Sequence, residues 1–290
     1  MPPAARIDYR PIDLTDAGLE RAYAFMQLVF PNARHYSVAF LDWMYRRNPN
    51  GRALGLEGFD GDKLVAHLAA LPQHTMLHGR PARVVLWVNG ATHPGYRGQG
   101  LYLKLCNETN ADLAARGVDA IIGVANQNTI RAYETKLGIQ NVAGLEARLG
   151  LGDFLSIDWM EAERQADLRR VWSAESLAWR LDNPSNRLAI DKAGGRTIVR
   201  GVTQHAGIQV FTPLLPLPGI EPVAAALRVR PIRLKLGLEP RGTARYGLSR
   251  PIPDRARPSP LRLIYSNLVD PGDRLDPATI LFSFIDFDAY

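Results

Sequence analysis

One turn in the first third of this 290-residue chain restricts its fold more than any other segment. Pro94-Gly95-Tyr96-Arg97-Gly98-Gln99-Gly100 follows the apolar-rich run Ala82 to Thr92 and leads into a helix expected over Gly100 to Arg116. Glycines let the backbone turn tightly and bring several N–H groups to one anion, and a helix N-terminus adds partial positive charge. Arg97 adds a full one. The layout is a strand, a phosphate cradle and a helix, which calls for a sheet with helices packed on it. A nucleoside-triphosphate loop is excluded because no Lys-Ser or Lys-Thr pair follows. The dinucleotide fingerprint fails on glycine spacing and on the missing ribose-binding acid.

Elements on either side of the turn fill in this plan. Ile7 to Ile12 reads as an opening strand, and Thr15 to Phe30 as a helix with Leu19, Ala22, Phe25, Met26 and Val29 at helical spacing and Thr15-Asp16 as its cap. A second helix near Val38 to Arg46 stops before Asn48-Pro49-Asn50-Gly51. Strands Ala53 to Phe59 and Lys63 to Pro72 join through Asp60-Gly61-Asp62. Beyond the turn, Val118 to Val124 is expected as a buried strand, Asn128 to Leu137 as a helix and Val142 to Leu151 as a strand. The fold class is therefore α/β with a mixed sheet. At 290 residues two units are expected, 1–151 and 152–290.

Two motifs carry a resemblance to a known family. The string from Thr92 to Tyr102 resembles the signature loop of the GNAT acetyltransferases, an Arg/Gln-x-x-Gly-x-Gly/Ala segment that binds the pyrophosphate of coenzyme A. Arg97, Gly98, Gln99 and Gly100 match, whereas Tyr102 stands where the family has a small residue. Asn126 to Ile139 resembles the family's second signature, with Asn126, Tyr133, Glu134 and Gly138 in place and Ile139 for phenylalanine. The resemblance spans Ile7 to Leu151 and implies acetyl-CoA, or another acyl-CoA, as co-substrate, with no metal. It implies that Gly90, Ala91 and Thr92 offer backbone to the pantetheine where two strands splay, and that Arg97 to Tyr102, including Leu101, hold the diphosphate. It also implies that Tyr133 lies near the sulfur as general acid and that Asn126 touches the pantetheine arm. Capping the following helix would equally account for Asn126.

The proton acceptor is not fixed by either motif. His67 and His74 on the strands feeding the cleft, Glu57 before them, His93 beside the turn, and Asn89 or water in a relay are the candidates, with the chain-end carboxylate of Tyr290 more speculative. Cys106, the single cysteine, excludes an intramolecular disulfide and reads as a small buried hydrophobe.

After Leu151 no second phosphate loop occurs, yet Leu177 to Leu188 resembles Leu41 to Leu54 with one residue deleted: a Trp-bearing helix, an Asn-Pro turn, then a strand. The second half is thus expected to be a degenerate, GNAT-like copy that helps to form the acceptor cleft. Strands are expected in Ile190 to Val202, Ile208 to Leu215, Leu261 to Tyr265 and Leu281 to Phe287, and a helix over Pro222 to Leu236. Its cations Arg228, Arg230, Arg233, Lys235, Arg241 and Arg245 read either as an anion-binding patch or as a solvated face. The net charge of +6 suits an anionic ligand, but no aromatics interleave with these cations, so nucleic acid is not expected.

No apolar run is long enough for a membrane span and no secretory leader pattern opens the sequence, so neither a membrane nor an exported location is expected; a cytoplasmic one is. The expected activity is direct transfer of acetyl to a primary amine of a small molecule, such as an aminosugar or polysaccharide precursor. The rival is a non-catalytic acyl-CoA-binding or scaffold protein. A protein-lysine acetyltransferase would want an acidic substrate groove, which the basic second half does not suggest.

Overall fold

The computed structural model describes residues 7–193, 196–203, 205, 207–215, 227, 229–257 and 260–287. Its first half runs β1 (Asp8–Pro11), α1 (Asp16–Val29), α2 (Val38–Tyr45), β2 (Leu54–Asp60), β3 (Lys63–Leu77), β4 (Arg80–Thr92), α3 (Leu101–Ala115), β5 (Ala120–Asn126), α4 (Gln127–Leu137), β6 (Gln140–Gly144) and β7 (Glu146–Leu151). The second continues with β8 (Leu155–Ile157), α5 (Trp159–Gln165), β9 (Leu168–Arg170), α6 (Ala174–Leu181), β10 (Leu188–Ala193), β11 (Arg196–Val202), β12 (Ile208–Leu214) and β13 (Ile232–Leu238). It ends in β14 (Ala244–Tyr246), β15 (Ser249–Pro251), β16 (Leu261–Asn267) and β17 (Ile280–Ser283). The fold is mixed α/β, built on one continuous sheet that runs through both halves.

Alternation along the strands sorts residues onto two faces. Leu86 packs with α1 and α2 in one core, and Trp87 packs with α3 and α4 in the other. The first core continues into the second half through Leu177, Ile190, Val199, Val210 and Phe284, whereas the other draws only on residues between Leu56 and Ile139, plus Ile264. Thr15 and Ser37 cap α1 and α2 by accepting from Gly18 and Phe40 N–H.

The halves exchange strands. β16, from late in the chain, lies between β5 and β6, antiparallel to both. In return β7 leaves the first half and pairs with β13 and β15 of the second. The single strand expected over Val142 to Leu151 is therefore two strands that part at the fully buried Leu145, because β16 separates β6 from the place where β7 can pair. The helix expected over Pro222 to Leu236 is likewise a strand from Ile232 onward, with β7 on one edge and β12 on the other. Those ladders override the helix propensity of its leucines and lysine, and 222–226 and 228 lie outside the described residues. The strand expected over Leu281 to Phe287 ends at Ser283, where the Asp286 carboxylate accepts from the Ser283 N–H at 2.6 Å and holds a turn.

The recurring Trp and Asn-Pro pattern has a spatial counterpart. Trp43 on α2 and Trp179 on α6 stack with centroids 4.6 Å apart and planes 12° from parallel. Each indole N–H donates to the other's backbone carbonyl, at 2.7 and 2.9 Å, so the pair obeys a local two-fold relation. Both asparagines close their turns alike: Asn48 Oδ1 accepts from Asn50 N–H, and Asn183 Oδ1 from Ser185 N–H. Ladders agree as well. In each half an antiparallel β-meander (β2-β3-β4, β10-β11-β12) leads to a parallel neighbour, β5 or β13.

Because cores and strands are shared, Trp43→Ala should cost about 3–5 kcal/mol, the range for deleting a large buried aromatic. Thermal unfolding should remain one transition moved to lower temperature. Two resolved calorimetric peaks would show that the halves unfold independently.

Candidate functional site

The site begins at a defect in β4. Opposite β3, Val88 pairs with Ala69 and Ala91 with His67, so Asn89 and Gly90 together face the single residue Leu68. This β-bulge places Asn89 in the left-handed region at φ 56°, a conformation asparagine tolerates better than most residues. On its other edge β4 runs parallel to β5 from Val84↔Ala120 to Trp87↔Gly123, and there the pairing stops. Beyond that point the strands diverge. A cavity of about 570 Å3 occupies the gap and is lined from both cores, by Tyr102, Tyr133, Trp87 and Ile264 on the α3/α4 side and by Met44, Leu86, Tyr36 and Phe287 on the α1/α2 side.

A buried chain of hydrogen bonds fixes the bulge. Tyr36 Oη donates to Asn89 Oδ1 at 3.0 Å, and Asn89 Nδ2 donates to Tyr45 Oη at 2.7 Å. Tyr45 Oη lies 3.0 Å from His67 Nε2, and His67 Nδ1 lies 3.1 Å from Glu57 Oε1. With Asn89 donating to it, Tyr45 donates onward to Nε2, which leaves the imidazole proton on Nδ1 facing the carboxylate. Tyr45, His67 and Glu57 are at most 1% exposed, and Arg21 comes within 3.6 Å of the far oxygen of Glu57. Burial raises the Tyr45 phenol far above its ordinary value, so it stays protonated.

At one mouth of the cavity stands the glycine turn. His93 Nδ1 accepts from Gly95 N–H at 3.1 Å, and Tyr96 Oη donates to Asp60 Oδ2 at 2.5 Å, which pins the turn to the β2–β3 hairpin. Gly98 and Gly100 have φ of 77° and 72°, and a Cβ built on either meets nothing within 4 Å, so their backbones stand open. Gly100 caps α3 without a side chain, and the helix's first amides have no capping acceptor. Exposed Arg97 lies beside them and also lines the cavity. Burial, with Lys63 and Arg97 nearby, pushes the His93 imidazole below its usual value.

Inside, Tyr133 Oη and Tyr102 Oη share a hydrogen bond of 2.6 Å. Burial raises both phenols well above 10. A Cβ on Gly90 would come within 2.4 Å of the Tyr102 hydroxyl, so the glycine is what lets this ring lie against β4. Trp87 Nε1 and Thr92 Oγ1 are buried with no hydrogen-bond partner among the described residues, although both residues line the cavity. Orphaned donors in a cavity wall, together with open amides beside a guanidinium, suit an elongated ligand bearing hydrogen-bonding groups and an anionic end.

Gly90, Ala91, Thr92, Arg97, Tyr102, Asn126 and Tyr133 all line the cavity, with Gly98, Gln99, Gly100 and Leu101 at its mouth. The Asn126 carbonyl accepts from Thr129 Oγ1, so the backbone of that residue helps to start α4. The proposed proton acceptors fare differently. His67 and Glu57 are sealed inside the sheet, His74 is exposed on β3 opposite Arg83, His93 supports the turn, and none of the four lines the cavity. Tyr290 lies outside the described residues. His35, which is the imidazole that does line the cavity, had no motif to mark it, nor had Tyr36, Met44 or Phe287. The basic cluster also divides: Arg233 and Lys235 are buried and paired with Asp153 and with Glu146 and Glu239, whereas Arg230, Arg241 and Arg245 are exposed and Arg228 is outside the described residues.

Comparison with known proteins agrees with this geometry. The acetyltransferase (GNAT) domain family matches residues 9–136, which contain the bulge, the glycine turn and Tyr133. Residues 9–136 thus carry a GNAT domain. A probable N-acyltransferase from Enterococcus faecalis is similar at TM-score 0.57 and 12% identity, over 90% of this chain and 73% of that one. GCN5-related N-acetyltransferases from Kribbella flavida (TM-score 0.56, 16% identity, 90% and 72% covered) and Anabaena variabilis (0.54, 13%, 90% and 73%) resemble it equally broadly. At these identities the likeness is one of fold, and it extends over both halves of the chain. No curated protein matches it. Among the described residues, no helix is long and apolar enough to cross a membrane.

Two measurements check the site as drawn. Tyr45→Phe should destabilise by about 1–2 kcal/mol in urea because it strands buried partners, and Asn89→Gly should cost less in that background than alone; additive effects would show that the chain is not one unit. Burial pushes the Cys106 thiol up to about 12, so it stays protonated and inert at pH 8. Iodoacetamide labelling should therefore need denaturant.

Proposed function

We propose that this GNAT protein transfers an acyl group, acetyl by the closeness of its motifs to the family's, from coenzyme A to a primary amine on a small molecule. The observation that carries the reading is the parting of β4 and β5 beside an uncapped helix start: an extended gap that ends at anion-binding amides. The coenzyme would supply an activated thioester. Arg97 and the amides of Gly98 to Tyr102 would take its diphosphate, and the β4 backbone at Gly90 to Thr92, with Asn126, its pantetheine arm.

Amide formation makes an N–C bond and breaks C–S, so one proton must leave the amine and one must reach the departing thiolate. Tyr133 is suited to the second task, being protonated throughout the neutral range and hydrogen-bonded to Tyr102, whose hydroxyl orients it. His35 is suited to the first, as the imidazole that lines the cavity on the α1/α2 side. Glu57, His67 and Tyr45 act at a distance, by holding Asn89 and so the width of the gap. Residues 152–290 form the second unit in this reading and frame the acceptor cleft from that side.

The alternative, a protein that binds acyl-CoA without turnover, differs in one measurable respect. Thiol release with an amine panel should be detectable in the wild type; acetyl-CoA binding without release would identify the binder. Arg97→Ala should weaken acetyl-CoA at least tenfold by calorimetry. Tyr133→Phe and His35→Gln should each lower kcat by about 10²-fold with coenzyme affinity near normal; unchanged kcat removes the assigned role.

A further inference from the structure

The part of the cavity on the α1/α2 side has a different character from the glycine mouth. Its walls are Phe30, His35, Tyr36, Met44 and Phe287. Phe30 and Tyr36 stack with centroids 6.0 Å apart and planes 21° from parallel, and the His35 ring sits 4.1 Å from that of Tyr36. Tyr36 is held in place by Asn89, and the turn before α2 is tied to the second half by Ser185 Oγ, which donates to the His35 carbonyl at 2.6 Å. The rings therefore form a fixed chamber rather than a mobile surface. No aspartate or glutamate occurs in the described lining of the whole cavity, and its only arginine or lysine is Arg97, at the coenzyme end.

Those two facts select among amines. A polycation or an ammonium-bearing sugar entering here would shed water with no carboxylate among the described lining residues to replace it, which costs several kcal/mol per buried charge. Cation–π contact would return about 0.5–2 kcal/mol and leaves sugar hydroxyls unmatched. A planar ring loses little on entry and gains both apolar burial and about 0.5–1.5 kcal/mol for each well-placed aromatic pair. A neutral amino nitrogen also removes the need to discharge an ammonium inside the chamber.

Resting on the proposed acyl transfer, we infer that the acceptor is an aromatic amine: a primary amine attached directly to a planar ring. Its ring occupies the space between Phe30, Tyr36, Met44 and Phe287, with the amino group toward the strand gap. Aminosugars, polyamines and lysine side chains are poor acceptors on this account.

The test uses full-length protein and acetyl-CoA, with thiol release measured for p-anisidine, 2-phenylethylamine, glucosamine, spermidine and a lysine-containing peptide. The aromatic amine, p-anisidine, should exceed each of the others at least tenfold in kcat/KM. Met44→Trp, which fills the chamber, and Phe30→Ala, which removes one wall, should each raise the aromatic KM about tenfold while calorimetry shows unchanged acetyl-CoA affinity. 2-Phenylethylamine, glucosamine, spermidine or the peptide matching the aromatic amine would overturn the inference, as would unaltered aromatic KM in both variants. Octanoyl-CoA preferred over acetyl-CoA, with the preference lost in Met44→Trp, would assign the chamber to an acyl tail and also overturn it. Absence of any acetyl-CoA heat would instead strike the underlying reading, and the acceptor assignment would fall with it.

Discussion

The parting of β4 from β5 is the constraint on which the site depends, and it is sustained by a single inserted residue. A parallel pair left to itself would keep its ladder to the end of both strands. Two residues of β4 facing one of β3 turn the strand away instead, and the turn is locked by a row of buried hydrogen bonds from Tyr36 to Glu57. Each member hydrogen-bonds to the next, and Arg21 stands 3.6 Å from the remaining oxygen of Glu57, which accounts for a buried carboxylate, imidazole and phenol in the midst of an apolar core. Their contribution to chemistry is geometric: they set where the gap opens.

The second half shows what happens when the same opening is filled. β12 runs beside β13 for three residue pairs, from Ile208↔Ile232 to Val210↔Leu234, and then leaves it, much as β4 leaves β5. Farther along the same edge of β13, however, β17 takes over through Gly237↔Ser283 and Leu238↔Phe282. The chain has supplied its own strand where the first half leaves a void. On the face where the first half carries α3 and α4, the second packs Phe154, Leu155, Ala244 and Tyr246 from the short β8–β14 ladder against Ile198 and Phe211. In the second half the chain itself thus closes the place that the first half leaves open.

Local chemistry was legible in the sequence and long-range pairing was not. Glycines at positive φ, a helix start and Tyr133 all lie within a few dozen residues of each other, so this stretch was legible through local motifs and their resemblance to the GNAT signatures. The Trp and Asn-Pro pattern likewise marked two residues, Trp43 and Trp179, that the fold stacks together. By contrast, nothing in Val142 to Leu151 signals that Leu145 divides two strands, because the cause is β16, more than a hundred residues away. His67 and Glu57 look like catalytic candidates by residue type; only their burial beneath Tyr45 shows that they brace. His35 and Phe287 reach the cavity through tertiary packing, which no local motif encodes.

The exchanged strand has a consequence for biosynthesis. Until residue 267 has left the ribosome, β5 and β6 lack the partner that separates them, so the far edge of β5 stays unpaired while the rest of the first half is already available to fold. An exposed apolar edge that waits for a distant segment invites wrong partners, including neighbouring nascent chains. Slow elongation or truncation between the two halves would prolong that wait.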